Sequence, residues 1–392
     1  MPPAREQIPP RVLAIVHLVT LGWITASILG SLFLVGPIAL RVRFEATWLD
    51  YGAFGLFAAG TAGMVVQFWM SGQGEVAWST AVVGTGLLLA VVRVLSRLEG
   101  AGGPRSVKAH IVLALVNLLG AATLGMLIAF DRDHRILSGG VLSNVAAHAH
   151  LAAIGWATMM VVGVAYRLLP MVLPAQMPAG PRLWFTAALL ETGVIGLVIT
   201  LLRGAGLSWI FALAIASGLA TFFAEVARMH RRRRPRPPVL RTPDPAVLHA
   251  VAAFMCLGIA VGMGLRLTVA ETFSPQFVLA YGVFGLVGFL AQIVVGMEGR
   301  LLPTFSWYWA SVNAGSNASV PSPHVMGWWP GQLMVFALWL AGVPLLAGGF
   351  AFSMIPLVRV AAWALFAAVL LDTLNVAVIL RHAFTPGTRA SS

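Results

Sequence analysis

The chain is short of charge. Of its 392 residues, 10% are Asp, Glu, Lys or Arg, while 59% are hydrophobic and the mean hydropathy is +0.89. A soluble domain carries about 25% charged residues, so a soluble globular fold is excluded. Cysteine is almost absent: Cys256 stands alone in an apolar run. That excludes an internal disulfide and a cysteine-built metal cluster. No two of the histidines are adjacent, and no polar stretch is long enough to form a soluble domain of its own. A cleaved signal peptide is not expected either, because Pro2, Pro3, Pro9 and Pro10 lead into a full-length apolar run.

What the sequence has instead is apolar runs of membrane length. A span needs about 20 apolar residues. By that measure about eleven runs qualify, near 12–38, 51–71, 76–97, 108–130, 146–173, 183–203, 206–228, 246–268, 276–302, 330–350 and 354–381. The expected fold is an all-α polytopic membrane protein, with residues 1–392 forming a single transmembrane domain.

The formal net charge of +12 suggests nucleic acid, but its placement argues for a membrane surface. Arg228, the run Arg231 to Arg234, Arg236 and Arg241 fill one loop. Arg93, Arg97, Arg105 and Lys108 flank another, and Arg41 and Arg43 follow the first span. All three loops fall on one side of the expected topology, and the positive-inside rule makes that side cytoplasmic. The N-terminus is then expected outside and the C-terminus cytoplasmic. Membrane lipids, not nucleic acids, are the expected partners of the basic loops.

The chain also repeats itself. His17, Gly22, Trp23, Thr25, Gly30 and Pro37 match His150, Gly155, Trp156, Thr158, Gly163 and Pro170 without a gap, at an offset of 133 residues. A further 133 residues on, Gly288, Phe289, Gly296 and Pro303 fall at the same positions, with Val283 where the histidine stood. The tetrapeptide Arg167-Leu168-Leu169-Pro170 recurs as Arg300-Leu301-Leu302-Pro303. Three equally spaced copies imply pseudo-threefold architecture, with repeats at about 12–145, 146–275 and 276–381. The period holds four spans, so the third copy is expected to lack its last one.

Histidines at the mouth of a membrane helix are costly to bury unless something binds them. His17, His148 and His150 all lie near the outer ends of parallel spans. Residues two apart on a helix are separated by about 200°, so His148 and His150 are expected to face opposite sides. His17 and His150 are repeat-equivalent and share one depth, so they are the expected facing pair, suited to a six-coordinate haem iron. Arg132 and Arg135, just before the fifth span, are the expected partners of haem propionates. His110 and His249, near the inner ends of their spans, are expected to sit in the interface and bond to water or headgroups. Of the acids within spans, Glu191 and Asp372 are proton-relay candidates, with pairing of Asp372 to Arg359 as the structural alternative.

The segment His148-x-His150, Gly155-Trp156, Gly163, Tyr166 and Leu168-Leu169-Pro170 resembles the tenth helix of haem-copper oxidase catalytic subunits, especially cytochrome cbb-type oxidases and nitric oxide reductases. That resemblance implies three four-helix arcs with haem near the outer face. In that family, copper is held by a histidine on one helix and an adjacent His-His pair, which this chain lacks. Haem b is therefore the expected cofactor and copper is not. The implied role is electron transfer in a respiratory or nitrogen-oxide-related complex, with respiratory-type membrane or cytochrome c subunits as partners. Two alternatives stand beside it: a haem-free transporter or structural subunit reusing the fold, and an active terminal oxidase with an atypical copper site.

Overall fold

A computed structural model describes residues 9–42, 45–70, 76–134, 136–137, 139–204, 206–235, 241–270, 272, 274–313 and 320–384, without side chains at 38, 39, 132 and 133. Among the described residues there is no strand. Eleven helices are long and apolar enough to cross a membrane: α1 Pro10–Val35, α2 Trp48–Trp69, α3 Val76–Leu98, α4 Arg105–Asp131, α5 Val141–Val172, α6 Pro181–Arg203, α7 Ser208–Arg231, α8 Pro245–Val269, α9 Pro275–Asn313, α10 Trp329–Ala351 and α11 Ile355–Phe384. Their number agrees with the sequence reading. The outward faces carry exposed Trp78, Leu88, Val92 and Trp363, as befits helices whose solvent is hydrocarbon.

The chain divides into two compact units, residues 1–235 and 236–392. In the first, α2 with α3 and α6 with α7 form tight hairpins, while α4 packs chiefly along α5. In the second, α10 and α11 form the hairpin and α8 packs along α9. The fourth helix of each sequence period thus takes the first helix of the next period as its main neighbour.

The repeat is written into the backbone. A wide, π-helical stretch occupies Leu18–Thr25 in α1, Leu151–Thr158 in α5 and Val283–Ala291 in α9. Its three ends, Thr25, Thr158 and Ala291, keep the 133-residue spacing. Widening a helix disturbs its i→i−4 ladder, and a carbonyl freed inside a membrane needs another donor. Neighbouring helices supply one. Asn117 of α4 donates through Nδ2 to the Gly155 carbonyl at 3.2 Å, and Trp339 of α10 donates through Nε1 to the Val287 carbonyl at 3.1 Å.

Close helix approach depends on the repeat glycines. A Cβ at Gly163 would lie 2.5 Å from the His110 Cβ, and one at Gly296 would lie 2.7 Å from the His249 Cβ. Only a residue without a side chain lets α4 lie on α5 and α8 on α9 at that distance. These contacts correct the interfacial placement of the two histidines. His110 is 0% exposed and His249 is 2% exposed. The glycines draw both rings into helix contacts.

One charged cluster locks the hairpin of α2 and α3. Asp50 sits at N3 of a capping box with Thr47, and its carboxylate pairs with Arg93 at 3.2 Å and Arg97 at 2.8 Å. At the far end of α7, Glu225 pairs with Arg228 one helical turn on. Some of the basic residues read as topological charge are therefore also structural partners of buried acids.

Candidate functional site

The histidine cluster of the first unit is built by α1, α4 and α5. His17 ends the ordinary helical start of α1, directly before the wide stretch. His148 lies one turn before the corresponding stretch of α5. The two imidazoles have centroids 6.4 Å apart and planes within 22°. Phe68 of α2 flanks His17 at 5.3 Å. The helices are fastened nearby by the indole of Trp156, which donates to the Thr25 hydroxyl at 3.2 Å. Spans 1 and 5 are neighbours, as the repeat suggested.

The proton on each ring follows from its hydrogen bond. His17 Nδ1 lies 2.8 Å from the Leu13 carbonyl, and His148 Nδ1 lies 3.0 Å from the Ala121 carbonyl on α4. A carbonyl can only accept, so both Nδ1 atoms carry the hydrogen and both Nε2 atoms carry the lone pair. This is the arrangement of a metal-ligating histidine, whose second nitrogen is oriented by a backbone acceptor. The α4 backbone has room for the His148 ring because residue 125 is glycine: a Cβ there would sit 2.9 Å from His148 Cε1.

His150 behaves differently from its neighbour. Its Nδ1 bonds at 2.7 Å to the Ala146 carbonyl of its own helix, while His148 reaches across to α4. The ring set beside His17 is that of His148.

The other expected residues are placed as follows. Arg135 lies outside the described residues, as does the side chain of Arg132. Glu191 accepts a 2.8 Å hydrogen bond from Asn117 Nδ2, the same amide that serves the Gly155 carbonyl. It therefore braces α6 to α4 at the wide stretch of α5. Asp372, in the second unit, is 9% exposed and lies beside Glu298. The sequence reading missed Asn117, although a lone amide inside the apolar run of α4 is a visible signal.

Two imidazoles from different helices can hold an ion between them. A metal bonded to one nitrogen of each ring at about 2 Å separates the centroids by about 6 Å, close to the spacing here. Among the described residues, no group of three or more His, Cys, Asp or Glu side chains gathers as a metal site. No family model matches this chain, and no curated protein matches it significantly.

Proposed function

We propose that this chain is a haem b-binding subunit of the bacterial inner membrane, with its N-terminus outside and its C-terminus cytoplasmic. It passes electrons within a respiratory or nitrogen-oxide-handling complex. The observation that carries this reading is the His17–His148 pair, 6.4 Å apart with near-parallel planes. Two imidazoles leave a lone zinc or copper ion short of ligands, whereas a porphyrin supplies four nitrogens of its own and needs two axial partners. His17 and His148 would be those partners, and the bound haem would supply one-electron transfer.

The chain's own residues prepare the site. The Leu13 and Ala121 carbonyls hold the ring tautomers with Nε2 as the lone-pair atom and raise the basicity of that nitrogen. The Trp156–Thr25 bond holds α1 against α5. The recurrence of the wide stretch in three copies supports a three-unit arrangement of the haem-copper oxidase kind. The same recurrence shows that the histidine is not needed to build the helix, because Val283 replaces it in the third copy.

The deciding experiment is a reduced-minus-oxidised spectrum with pyridine haemochrome analysis, on protein purified after haem-replete expression. The expected result is a low-spin b-type spectrum and about one protohaem per chain. A haem-free preparation overturns the proposal.

A further inference from the structure

The second unit contains a polar cavity that the histidine pair does not use. It has a volume of about 100 Å³ and lies among the first turn of α8, the later turns of α9 and the start of α10. Arg241, His249, Arg300, His324, Gln332 and Asp372 line it. His249 is 2% exposed, and its Nδ1 has no hydrogen-bond partner among the described residues. The contrast with its counterpart is direct. His110, which packs on Gly163 as His249 packs on Gly296, bonds Nδ1 to the Ser106 carbonyl four residues back at 2.8 Å. His249 makes no such bond, and the residue lines the cavity. Burying an orphan polar atom is costly, so this nitrogen calls for a partner within the cavity.

The acids around the cavity are already engaged. Asp244 caps α8 by accepting from the Ala246 N–H at 3.0 Å, and its other oxygen lies 3.7 Å from Arg300 Nη1. That distance positions the guanidinium but is too long for a hydrogen bond, so the Arg300 donors remain unspent on Asp244. Asp372 lies beside Glu298. The donors that line the cavity are two guanidinium groups, the Gln332 amide and the His249 ring. A Cβ at Gly327 would lie 2.9 Å from Gln332 Nε2, so glycine there leaves space for that amide.

We propose that this cavity binds a phosphate-type oxyanion, either the phosphate of a membrane lipid or a free inorganic ion of the same shape. Guanidinium forks match the paired oxygens of such a group, and the imidazole of His249 donates a further hydrogen bond from Nδ1. The site is separate from the His17–His148 pair and its test does not depend on haem.

The experiment uses the full chain in detergent, before and after delipidation, with inorganic phosphate as the titrant and native mass spectrometry to detect retained phospholipid. Arg241→Gln changes an exposed residue and is expected to preserve the fold, and Gln332→Ala removes the amide. Saturable phosphate binding, weakened about tenfold or more in both variants, identifies a free oxyanion as the ligand. A phospholipid retained by the parent chain and lost from both variants, without phosphate binding, identifies a lipid phosphate. If phosphate fails to bind and retained lipid is the same in all three proteins, the proposal is overturned. Binding that neither substitution alters overturns it as well.

Discussion

The Trp156 indole donates a 3.2 Å hydrogen bond to the Thr25 hydroxyl, joining two helices that are copies of one motif at non-equivalent positions. Trp156 is the counterpart of Trp23, and Thr25 that of Thr158. The bond crosses between α1 and α5 just inward of His17 and His148. Thr25→Val keeps the side-chain volume and deletes the acceptor. It is expected to cost about 0.6–1.7 kcal/mol, the range of side-chain hydrogen bonds between membrane helices. Reversible unfolding in mixed micelles measures it, and an unchanged midpoint would count against the bond.

The proposed haem pair separates cleanly from its neighbour. His17→Ala and His148→Ala are each expected to abolish the low-spin b-type spectrum, while His150→Ala retains it. The check is the reduced-minus-oxidised spectrum of each variant at matched protein concentration. Loss with His150→Ala and retention with His148→Ala would reverse the assignment within the same motif.

Equivalent glycines should respond unequally. A Cβ at Gly163 meets His110 at 2.5 Å, whereas one at Gly30, its repeat counterpart, meets nothing within 4 Å. Gly163→Ala is expected to destabilise the protein by about 1–3 kcal/mol through overpacking. Gly30→Ala should be neutral, or stabilising by up to about 1 kcal/mol from helix propensity. Comparing their unfolding midpoints decides it, and equal effects would contradict the helix contact.

The lock on the first hairpin should be costly to break. Asp50 accepts from both Arg93 and Arg97, and its side chain is 7% exposed. Asp50→Asn removes the charge and leaves two half-buried guanidinium groups without it. The expected loss is about 3 kcal/mol, as for a buried ion pair deprived of one partner. High salt should change the parent protein little, because buried pairs are poorly screened. Unfolding of both proteins at low and high salt tests both statements.

Glu191 is expected to act as a brace. Glu191→Gln keeps an oxygen for the Asn117 amide and should unfold within about 0.5 kcal/mol of the parent. Glu191→Leu leaves that amide only its bond to the Gly155 carbonyl and should cost about 1 kcal/mol. A proton-relay role would instead show as lost activity in the glutamine variant at unchanged stability.

The eleven spans, the repeat period and the closeness of α1 to α5 could all be read from residues, because hydropathy and spacing depend on local chemistry. The partner of His17 could not. Sequence equivalence pointed to His150, but copies of a motif packed head to tail present unlike faces to each other. The residue opposite one copy therefore differs from that copy's own counterpart, and helix rotation brought His148 into place. The burial of His110 and His249 escaped the sequence for a related reason. Their position near helix ends suggests exposure, and only the docking of α4 on Gly163 and of α8 on Gly296 buries them. The Asp50 cluster was hidden because its two arginines lie more than forty residues away along the chain.

The wide stretch that ends at Thr25, Thr158 and Ala291 has a historical consequence. A backbone irregularity with one spacing in three copies is most simply inherited from a single ancestral helix. The wide turn then predates the duplications. The histidine before it is present in two copies and replaced by Val283 in the third. Substituting histidine at Val283 would ask whether the third copy of the scaffold still accepts the imidazole that the other two carry.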